Sequence, residues 1–166
     1  MNTHRLSWNE LWLDTAILVG RRSQCSRAQY GAVIVSEDNR VLSVGYNGPP
    51  AGKQQNGSCD SWCKRAVNAE IGKPVDPNYL DCDAVHAEQN AILRAPNLWL
   101  EKNPILYVNG VTCHRCALII ANSGIKTVVL RWTPYEEKRD PAGTRELLEQ
   151  YGVSVHIMDE NGQEKR

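Results

Sequence analysis

Three features are missing from this 166-residue sequence: an excess of charge, a long apolar run and a repeated or low-complexity segment. Nineteen lysines and arginines balance nineteen aspartates and glutamates, so the basic surface expected of a nucleic-acid-binding or anionic-membrane-binding protein is lacking. No apolar run approaches the roughly 20 residues of a membrane-spanning helix, and no apolar core of a signal peptide follows residues 1–5. We therefore expect a cytoplasmic protein with neither nucleic-acid nor membrane partners.

The sequence does have the composition of one ordinary globular domain. Apolar residues make up 42% and charged residues 23% of the chain, which is typical of globular proteins. The length suits a single hydrophobic core. We predict one domain over residues 1–158 and a polar, loose C-terminal tail over residues 159–166.

Periodicity and capping residues predict alternating helices and strands. A capping box of Ser7 and Glu10 opens a first helix, which we expect to end near residues 21–23. Strands are predicted at 31–35, 40–46, 105–108, 126–132 and 153–157, and later helices after His86, at 113–122 and at 141–150. A short helix within 60–70 also fits the pattern. Asp81 or Asp83 is predicted to cap the helix that bears His86, and Thr112 to cap the helix that begins at Cys113. The order predicts an α/β fold with one mixed sheet covered by helices.

Two short motifs place nitrogen and sulfur donors at the starts of two predicted helices. His86 and Glu88 stand two residues apart, and Cys113 and Cys116 form a Cys-x-x-Cys. The positive end of a helix dipole favours the thiolate, which is the form that binds metal. One imidazole and two thiolates suit a catalytic zinc with an open fourth position for water. Glu88 is then the acid/base beside that water. The alternative is a structural zinc site with Glu88 as a solvated helix residue.

The paired motifs match the H-x-E…P-C-x-x-C signature of zinc nucleobase deaminases, except that Thr112 stands where the signature has proline. Segments 31–35, 45–52 and 86–92 together resemble deoxycytidylate (dCMP) deaminases, and the likeness continues through Cys116-Ala117 and 121–126. The resemblance implies a three-layer cytidine deaminase-like fold with a five-stranded mixed sheet. It also implies hydrolysis of dCMP to dUMP with release of ammonia.

The resemblance assigns roles to several residues. Glu88 would take the proton of the attacking water, deliver it to N3 of cytosine and then protonate the leaving amine. Asn47 would contact the deoxyribose 3′-hydroxyl or the base, and Ala87 would also contact the substrate. Arg27 is the candidate for the 5′-phosphate, and Tyr135 for stacking on the ring. The alternatives are a turn residue for Asn47 and ordinary surface residues for Arg27 and Tyr135.

Related deaminases are commonly oligomeric and regulated by dCTP and dTTP, which the resemblance extends to this chain as expectations. Tyr46, Gly48 and Gly52 are then the candidate effector contacts. Some phage members carry a second, structural zinc. The resemblance therefore makes Cys25, Cys59, Cys63 and Cys82 candidates for a four-cysteine site, and the alternative is four buried thiols.

Three functions remain open from the sequence. The first is a deaminase of free dCMP. The second is a deaminase of another cytosine, guanine or adenine substrate, including a base in tRNA or single-stranded DNA, although the balanced charge disfavours a polynucleotide. The third is a zinc-stabilised binding module without turnover, for which Glu88 would have no use.

Overall fold

A five-stranded mixed sheet with helices on both faces organises the chain. The computed structural model describes residues 5–50, 58–75, 81–134, 136, 140–160 and 162–165. Its helices are α1 (Trp8–Gly20), α2 (Lys64–Glu70), α3 (Ala87–Arg94), α4 (His114–Asn122) and α5 (Pro141–Gln150). Its strands are β1 (Gly31–Val35), β2 (Val41–Tyr46), β3 (Ile105–Val108), β4 (Thr127–Arg131) and β5 (Ser154–Met158). Short 3-10 helices cover Cys59–Ser61 and Leu98–Leu100.

The strand order is β2-β1-β3-β4-β5. Strand β1 is antiparallel to both β2 and β3, whereas β3, β4 and β5 run parallel. Parallel neighbours need crossover connections, and α4 and α5 supply them. The prediction of one mixed sheet in an α/β fold is confirmed.

Alternating side chains divide the core into two layers. Val33, Tyr107 and Val129 pack with Leu13 and Ala16 of α1 on one face of the sheet. On the opposite face, strand residues pack with α3, α4 and α5; the buried members from the strands are Ala32, Ile34, Leu106, Val108, Val128, Leu130, Val155 and Ile157. Because both faces are covered, all five residues of β1 are buried, and the three-layer prediction is confirmed.

The strand directions bring three chain segments to one edge of the sheet. Gly31, at the start of β1, pairs with Tyr46 at the end of β2, and Ala32 pairs with Val108 at the end of β3. The loops that leave β2 and β3 therefore lie side by side with the loop that enters β1. The predicted motifs belong to these loops and to the helices that follow them.

The observed helix boundaries confirm most of the predicted helix starts and ends, but the predicted N-cap residues of α3 and α4 were wrong. The Ser7–Glu10 capping box is present, and Arg21 is the C-cap of α1. Neither Asp81 nor Asp83 caps α3, because His86 itself is the N-cap residue, and its N–H donates to Gln89 Oε1 at 3.1 Å. Thr112 does not cap α4 either; the N-cap is Cys113. The helix expected within 60–70 is α2, preceded by the 3-10 turn at Cys59–Ser61.

The described part of the C-terminal tail is not loose, which corrects that prediction. Glu164 pairs antiparallel with Met158, and the Lys165 N–H donates to the Ile157 carbonyl at 2.7 Å. The Lys165 ammonium lies over the Trp132 ring, 3.0 Å from its centroid. Composition predicted a solvated tail, whereas pairing with the end of β5 and the contact with the more distant Trp132 hold its described residues in place.

Among the described residues, the structure has no helix whose length and apolar character would allow it to span a membrane.

Candidate active site

Asn47, just after β2, connects the loop that leaves β2 to the loop that enters β1. Its Oδ1 accepts a hydrogen bond from the Tyr30 N–H at 2.8 Å, and its Nδ2 donates to the Ala28 carbonyl at 3.0 Å. Asn109, after β3, makes the same kind of bonds, to the Gly31 N–H at 2.8 Å and the Gln29 carbonyl at 3.0 Å. The segment before β1 is therefore held by two asparagine side chains.

The loop after β2 is also joined to the start of α3. Gly48 and Val85 exchange backbone hydrogen bonds of 3.1 and 2.8 Å. The Asn90 side chain, one turn into α3, donates to the Tyr46 carbonyl at 2.8 Å. These contacts fix the position of His86, which follows Val85 directly.

Gly45 lets α3 pack directly on β2. A β-carbon built on Gly45 would overlap the Ala87 carbonyl oxygen and the Ala91 backbone nitrogen. Ala87 and Ala91 are both fully buried. The first turn of α3, which carries Glu88, therefore lies against the sheet backbone.

His86, Cys113 and Cys116 converge as the sequence predicted. The Nδ1 atom of His86 lies 3.5 Å from Cys113 Sγ and 3.3 Å from Cys116 Sγ. Bonds of about 2.3 Å for Zn–S and about 2.0 Å for Zn–N separate nitrogen and sulfur by roughly 3.5 Å in a tetrahedral site. The three ligand atoms lie within 4.8 Å of one another. The observed spacing therefore fits one zinc ion.

The two cysteines differ in their preference for the thiolate. A hydrogen bond from Cys116, together with His86, lowers the pKa of Cys113 to about 3. The same Cys113 sulfur raises the pKa of Cys116, as do burial and the charge of Glu88. A cation bound among the three ligands would favour the thiolate form of both cysteines.

Glu88 is buried beside this cluster. Its side chain is 5% exposed, and its charge acts on Cys116, yet it is not a member of the three-residue ligand group. Glu88 is thus distinct from the three candidate ligands, and its role as acid/base stays a prediction.

A buried carboxylate that the sequence analysis missed supports the loop before α4. Glu136 is 4% exposed; it accepts from the Tyr30 hydroxyl at 2.6 Å and from the Val111 N–H at 3.0 Å. It thereby joins the loop before β1 to the segment that leads into Cys113. Glu136 precedes a charged run in the sequence, Glu137-Lys138-Arg139, so its neighbours resembled a solvated surface segment.

The remaining substrate and effector candidates lie in different surroundings. Arg27 is exposed in the loop before β1, and its charge acts on the nearby Asp60 carboxylate. Ala87 is the first residue of α3 and is fully buried. Tyr46 and Gly48 belong to the segment joined to α3. Tyr135 and Gly52 lie outside the described residues.

The other four cysteines gather in a separate cluster. Cys59 and Cys63 are 3% exposed and pack with Ala66, and Cys25, Trp62 and Cys82 adjoin them. Burial raises the pKa of the Cys59 and Cys82 thiols. Cys59 also neighbours Cys25, and Cys82 neighbours Cys63. The structure thus brings together the four cysteines named in the sequence analysis, but without the tight spacing of the His86 group, and the second zinc stays a prediction.

Comparison with known proteins identifies the family. The model of the cytidine and deoxycytidylate deaminase zinc-binding region matches residues 6–131. That match covers both metal motifs and most of the sheet. The chain belongs to the cytidine and deoxycytidylate deaminase family. The resemblance stated from the sequence is confirmed.

Members of this deaminase family align with the chain over different lengths. A deoxycytidylate deaminase of Mycobacterium phage D29 is 39% identical over 127 residues, which are 75% of this chain and 94% of the relative. That of Schizosaccharomyces pombe is 35% identical over 164 residues, covering 96% of this chain. The chain spans about half, 47%, of that yeast relative's length.

A solved structure of the same deaminase family shares the fold. The dCMP deaminase of cyanophage S-TIM5, in complex with dCMP and dUMP, is 27% identical to this chain with a TM-score of 0.66. The alignment covers 93% of this chain and 99% of the cyanophage chain. The cytidine deaminase-like fold expected from the sequence is confirmed.

Proposed function

We propose that this protein hydrolyses dCMP to dUMP and ammonia. The observation that carries the proposal is the arrangement of His86, Cys113 and Cys116 around one zinc-sized position, with the Glu88 carboxylate buried beside it. The family of the chain, and the dCMP and dUMP bound to its cyanophage neighbour, support cytosine as the base and a deoxynucleotide as the substrate.

The residues of the site have separate roles in the proposed reaction. A zinc ion held by His86, Cys113 and Cys116 would supply a Lewis acid that makes a water nucleophilic near neutral pH. Glu88 would take one proton from that water and pass it to N3 of the ring. It would then take the second proton, from the hydroxyl added at C4, and pass it to the amine that leaves as ammonia. Its burial excludes bulk water from this transfer. Gly45 and the Gly48–Val85 pairing hold the first turn of α3, and therefore Glu88, at a fixed distance from the ligands.

We propose that the Asn47 side chain contacts the deoxyribose 3′-hydroxyl or the base of the substrate. A side-chain amide has two N–H donors and two acceptor lone pairs, and Tyr30 and Ala28 use one of each. One donor and one acceptor remain, which is the pair that a hydroxyl group can satisfy. The bond to Ala28 also anchors the residue next to Arg27, which we propose binds the 5′-phosphate. We include Ala87, beside Glu88, and Tyr135 as further substrate contacts.

We also propose a second, structural zinc held by Cys25, Cys59, Cys63 and Cys82. The clustering of four thiols from three separate segments supports it, because a metal would join segments that share little apolar area. A rearrangement of the sulfur atoms to a tetrahedral spacing is part of this proposal. The alternative remains a cluster of reduced, buried thiols.

Oligomerisation and regulation complete the proposal. A helix-face apolar surface, made of exposed side chains of α3, α4 and the 3-10 turn between α3 and β3, supports contact with further copies of the chain; its members are Leu93, Trp99, Leu100, Leu118 and Ile119. We propose dCTP and dTTP as effectors, with Tyr46, Gly48 and Gly52 as contacts. A cytoplasmic location stays a prediction.

Ammonia release tests the activity directly. Purified, zinc-loaded protein is assayed with dCMP, dCTP, deoxycytidine and CMP, each with and without added dCTP as effector. We expect turnover of dCMP and at least tenfold lower kcat/KM for the other three. Turnover of another nucleobase substrate in place of dCMP would instead indicate a different deaminase. Absence of turnover on every substrate, with zinc bound, would indicate the binding module.

A further inference from the structure

Glu136 is a buried carboxylate that takes no part in the proposed reaction. Only 4% of its side chain is exposed, and burial of a carboxylate is costly unless hydrogen bonds replace its lost hydration. The Tyr30 hydroxyl donates to Oε1 at 2.6 Å, and the Val111 N–H donates to Oε2 at 3.0 Å. The shorter distance is typical of a hydroxyl that donates to an ionised carboxylate. The two carboxylate oxygens therefore contact two different segments of the chain.

Tyr30 connects Glu136 to Asn47, the residue proposed to contact the sugar or the base. The Tyr30 N–H donates to Asn47 Oδ1 at 2.8 Å, and the Asn47 N–H donates to the Tyr30 carbonyl at 3.1 Å. The hydroxyl at the far end of the Tyr30 side chain donates to Glu136. Because the aromatic ring between these bonds is rigid, a shift of the Glu136 carboxylate would also shift the backbone that is bonded to Asn47.

Val111 connects Glu136 to the loop that carries the metal ligands. Val111 is 2% exposed and stands two residues before Cys113, the N-cap of α4. The preceding residue, Gly110, lets the Tyr30 ring lie directly against the backbone, because a β-carbon on Gly110 would overlap Tyr30 Cε1. The loop before β1 and the loop before α4 are thus in contact at Gly110, and Glu136 is bonded to both of them beside that contact.

We propose that Glu136 is a positioning residue, which holds the loop bonded to Asn47 in a fixed place relative to the loop that carries Cys113. It acts through Tyr30 and Val111 and not on the substrate. A substrate has to meet Asn47 and the zinc position at the same time, and binding groups keep their affinity only when supporting contacts hold them within about 0.5 Å. The inference deepens the proposed function, since it rests on Asn47 as a substrate contact.

Steady-state kinetics on zinc-loaded protein test this role. Glu136→Ala removes both contacts and should raise the KM for dCMP about tenfold, with kcat changed less than about threefold, because the groups that carry out the reaction are unaltered. Glu136→Gln should keep KM within about threefold of the wild type, since an amide can accept from the Val111 N–H and donate to the Tyr30 hydroxyl oxygen.

Tyr30→Phe cuts the same connection at its other end. It should also raise KM, and combining it with Glu136→Ala should raise KM no further than Glu136→Ala alone, because both changes remove one connection. This milder variant decides the question if Glu136→Ala does not fold. A wild-type KM in Tyr30→Phe, or a KM for Glu136→Gln as high as that of Glu136→Ala, would overturn the proposal.

Tyr107→Phe is the matched control. Tyr107 is also buried, and its hydroxyl donates to Asn9 Oδ1 at 3.0 Å on the opposite face of the sheet, where α1 packs. The change should lower the midpoint of urea unfolding much as Tyr30→Phe does, but leave KM unchanged. An equal rise of KM in Tyr107→Phe would show that general loss of stability, and not the position of Asn47, raises KM.

Hydrogen exchange of the Tyr30 amide tests the connection without any substrate. Glu136→Ala alters neither atom of the bond between the Tyr30 N–H and Asn47, so this amide should exchange about tenfold faster only if Glu136 holds Tyr30 in place. Mass spectrometry of peptides that contain Tyr30 measures the rate. A wild-type protein that fails to deaminate dCMP would refute the proposed function, while faster exchange would still support this inference. Unchanged exchange would overturn the inference even in an active enzyme.

Discussion

Gly45 of β2 and Ala87 of α3 are in backbone contact: a β-carbon on Gly45 would overlap the Ala87 carbonyl oxygen. The contact sets the height of α3 above the sheet. Because His86 and Glu88 flank Ala87, the same contact positions both residues relative to Cys113 and Cys116.

Gly45→Ala should therefore displace α3 and lower the free energy of unfolding by about 3 kcal/mol or more, at the upper end of the cost of overpacking. The measurement is urea unfolding with zinc bound. Gly48→Ala is the control, because the nearest heavy atom to its added carbon is a Tyr46 ring atom at 3.7 Å. A Gly45→Ala protein as stable as Gly48→Ala would contradict the close packing.

Replacement of Glu88 by glutamine should separate catalysis from metal binding. The variant keeps the shape of the side chain but cannot carry a proton, so kcat for dCMP should fall by about 10²-fold to 10⁴-fold. Zinc content, measured by mass spectrometry of the metal, should equal that of the wild type because Glu88 is not a ligand. Undiminished turnover would show that another group carries the proton.

Asn47→Ala should affect both stability and substrate binding. It leaves the Tyr30 N–H and the Ala28 carbonyl without their side-chain partner, at a cost of about 1–3 kcal/mol. The KM for dCMP should also rise at least tenfold, because the proposed sugar contact and the anchor beside Arg27 are lost together. Steady-state kinetics and urea unfolding measure the two effects.

Asn109→Ala controls for the structural part of that change. Asn109 makes an equivalent pair of backbone contacts but has no proposed substrate contact. We expect it to lose similar stability with less effect on KM. If both variants raised KM equally, Asn47 would be a structural residue only.

Metal analysis tests the second zinc. Zinc-loaded wild-type protein should contain close to two zinc ions per chain, and Cys63→Ser close to one, with deamination of dCMP retained if the variant stays folded. Cys116→Ser should lose the other ion and all turnover. A wild-type ratio near one, with six thiols titrated after unfolding in chelator, would instead identify Cys25, Cys59, Cys63 and Cys82 as reduced buried thiols.

Sedimentation tests the helix-face apolar surface. Leu118 is 43% exposed on α4, so Leu118→Asp would place a charge within an interface between copies and should shift the protein toward monomer. Ile71→Asp changes an exposed side chain just past α2 and should leave the assembly as it is. A monomeric wild-type protein would refute the oligomer.

The metal site could be predicted because its signals are local. His86 and the Cys113–Cys116 pair each stand at a helix start, and the spacing of each pair is visible in the sequence. The caps were less predictable: aspartates precede α3, yet Gln89 reaches back to the His86 N–H from inside the helix. An aspartate cap and the observed His86 cap were both compatible with the local sequence, and the packing of α3 on β2 favours the His86 cap.

The parts that escaped prediction depend on contacts between distant residues. Glu136 and Tyr30 are 106 positions apart, so no local pattern connects them. In the tail, the contact between Lys165 and Trp132 depends on the position of the β4 end relative to β5.

The return of the chain along β5 has a consequence for how copies can associate. An outermost strand normally presents unpaired N–H and carbonyl groups that can recruit a strand from another molecule. Here the pairing of Met158 with Glu164, and the bond from Lys165 to Ile157, occupy part of that edge from within the same chain. The sheet is thereby protected, along part of its β5 edge, against pairing with a strand of another molecule.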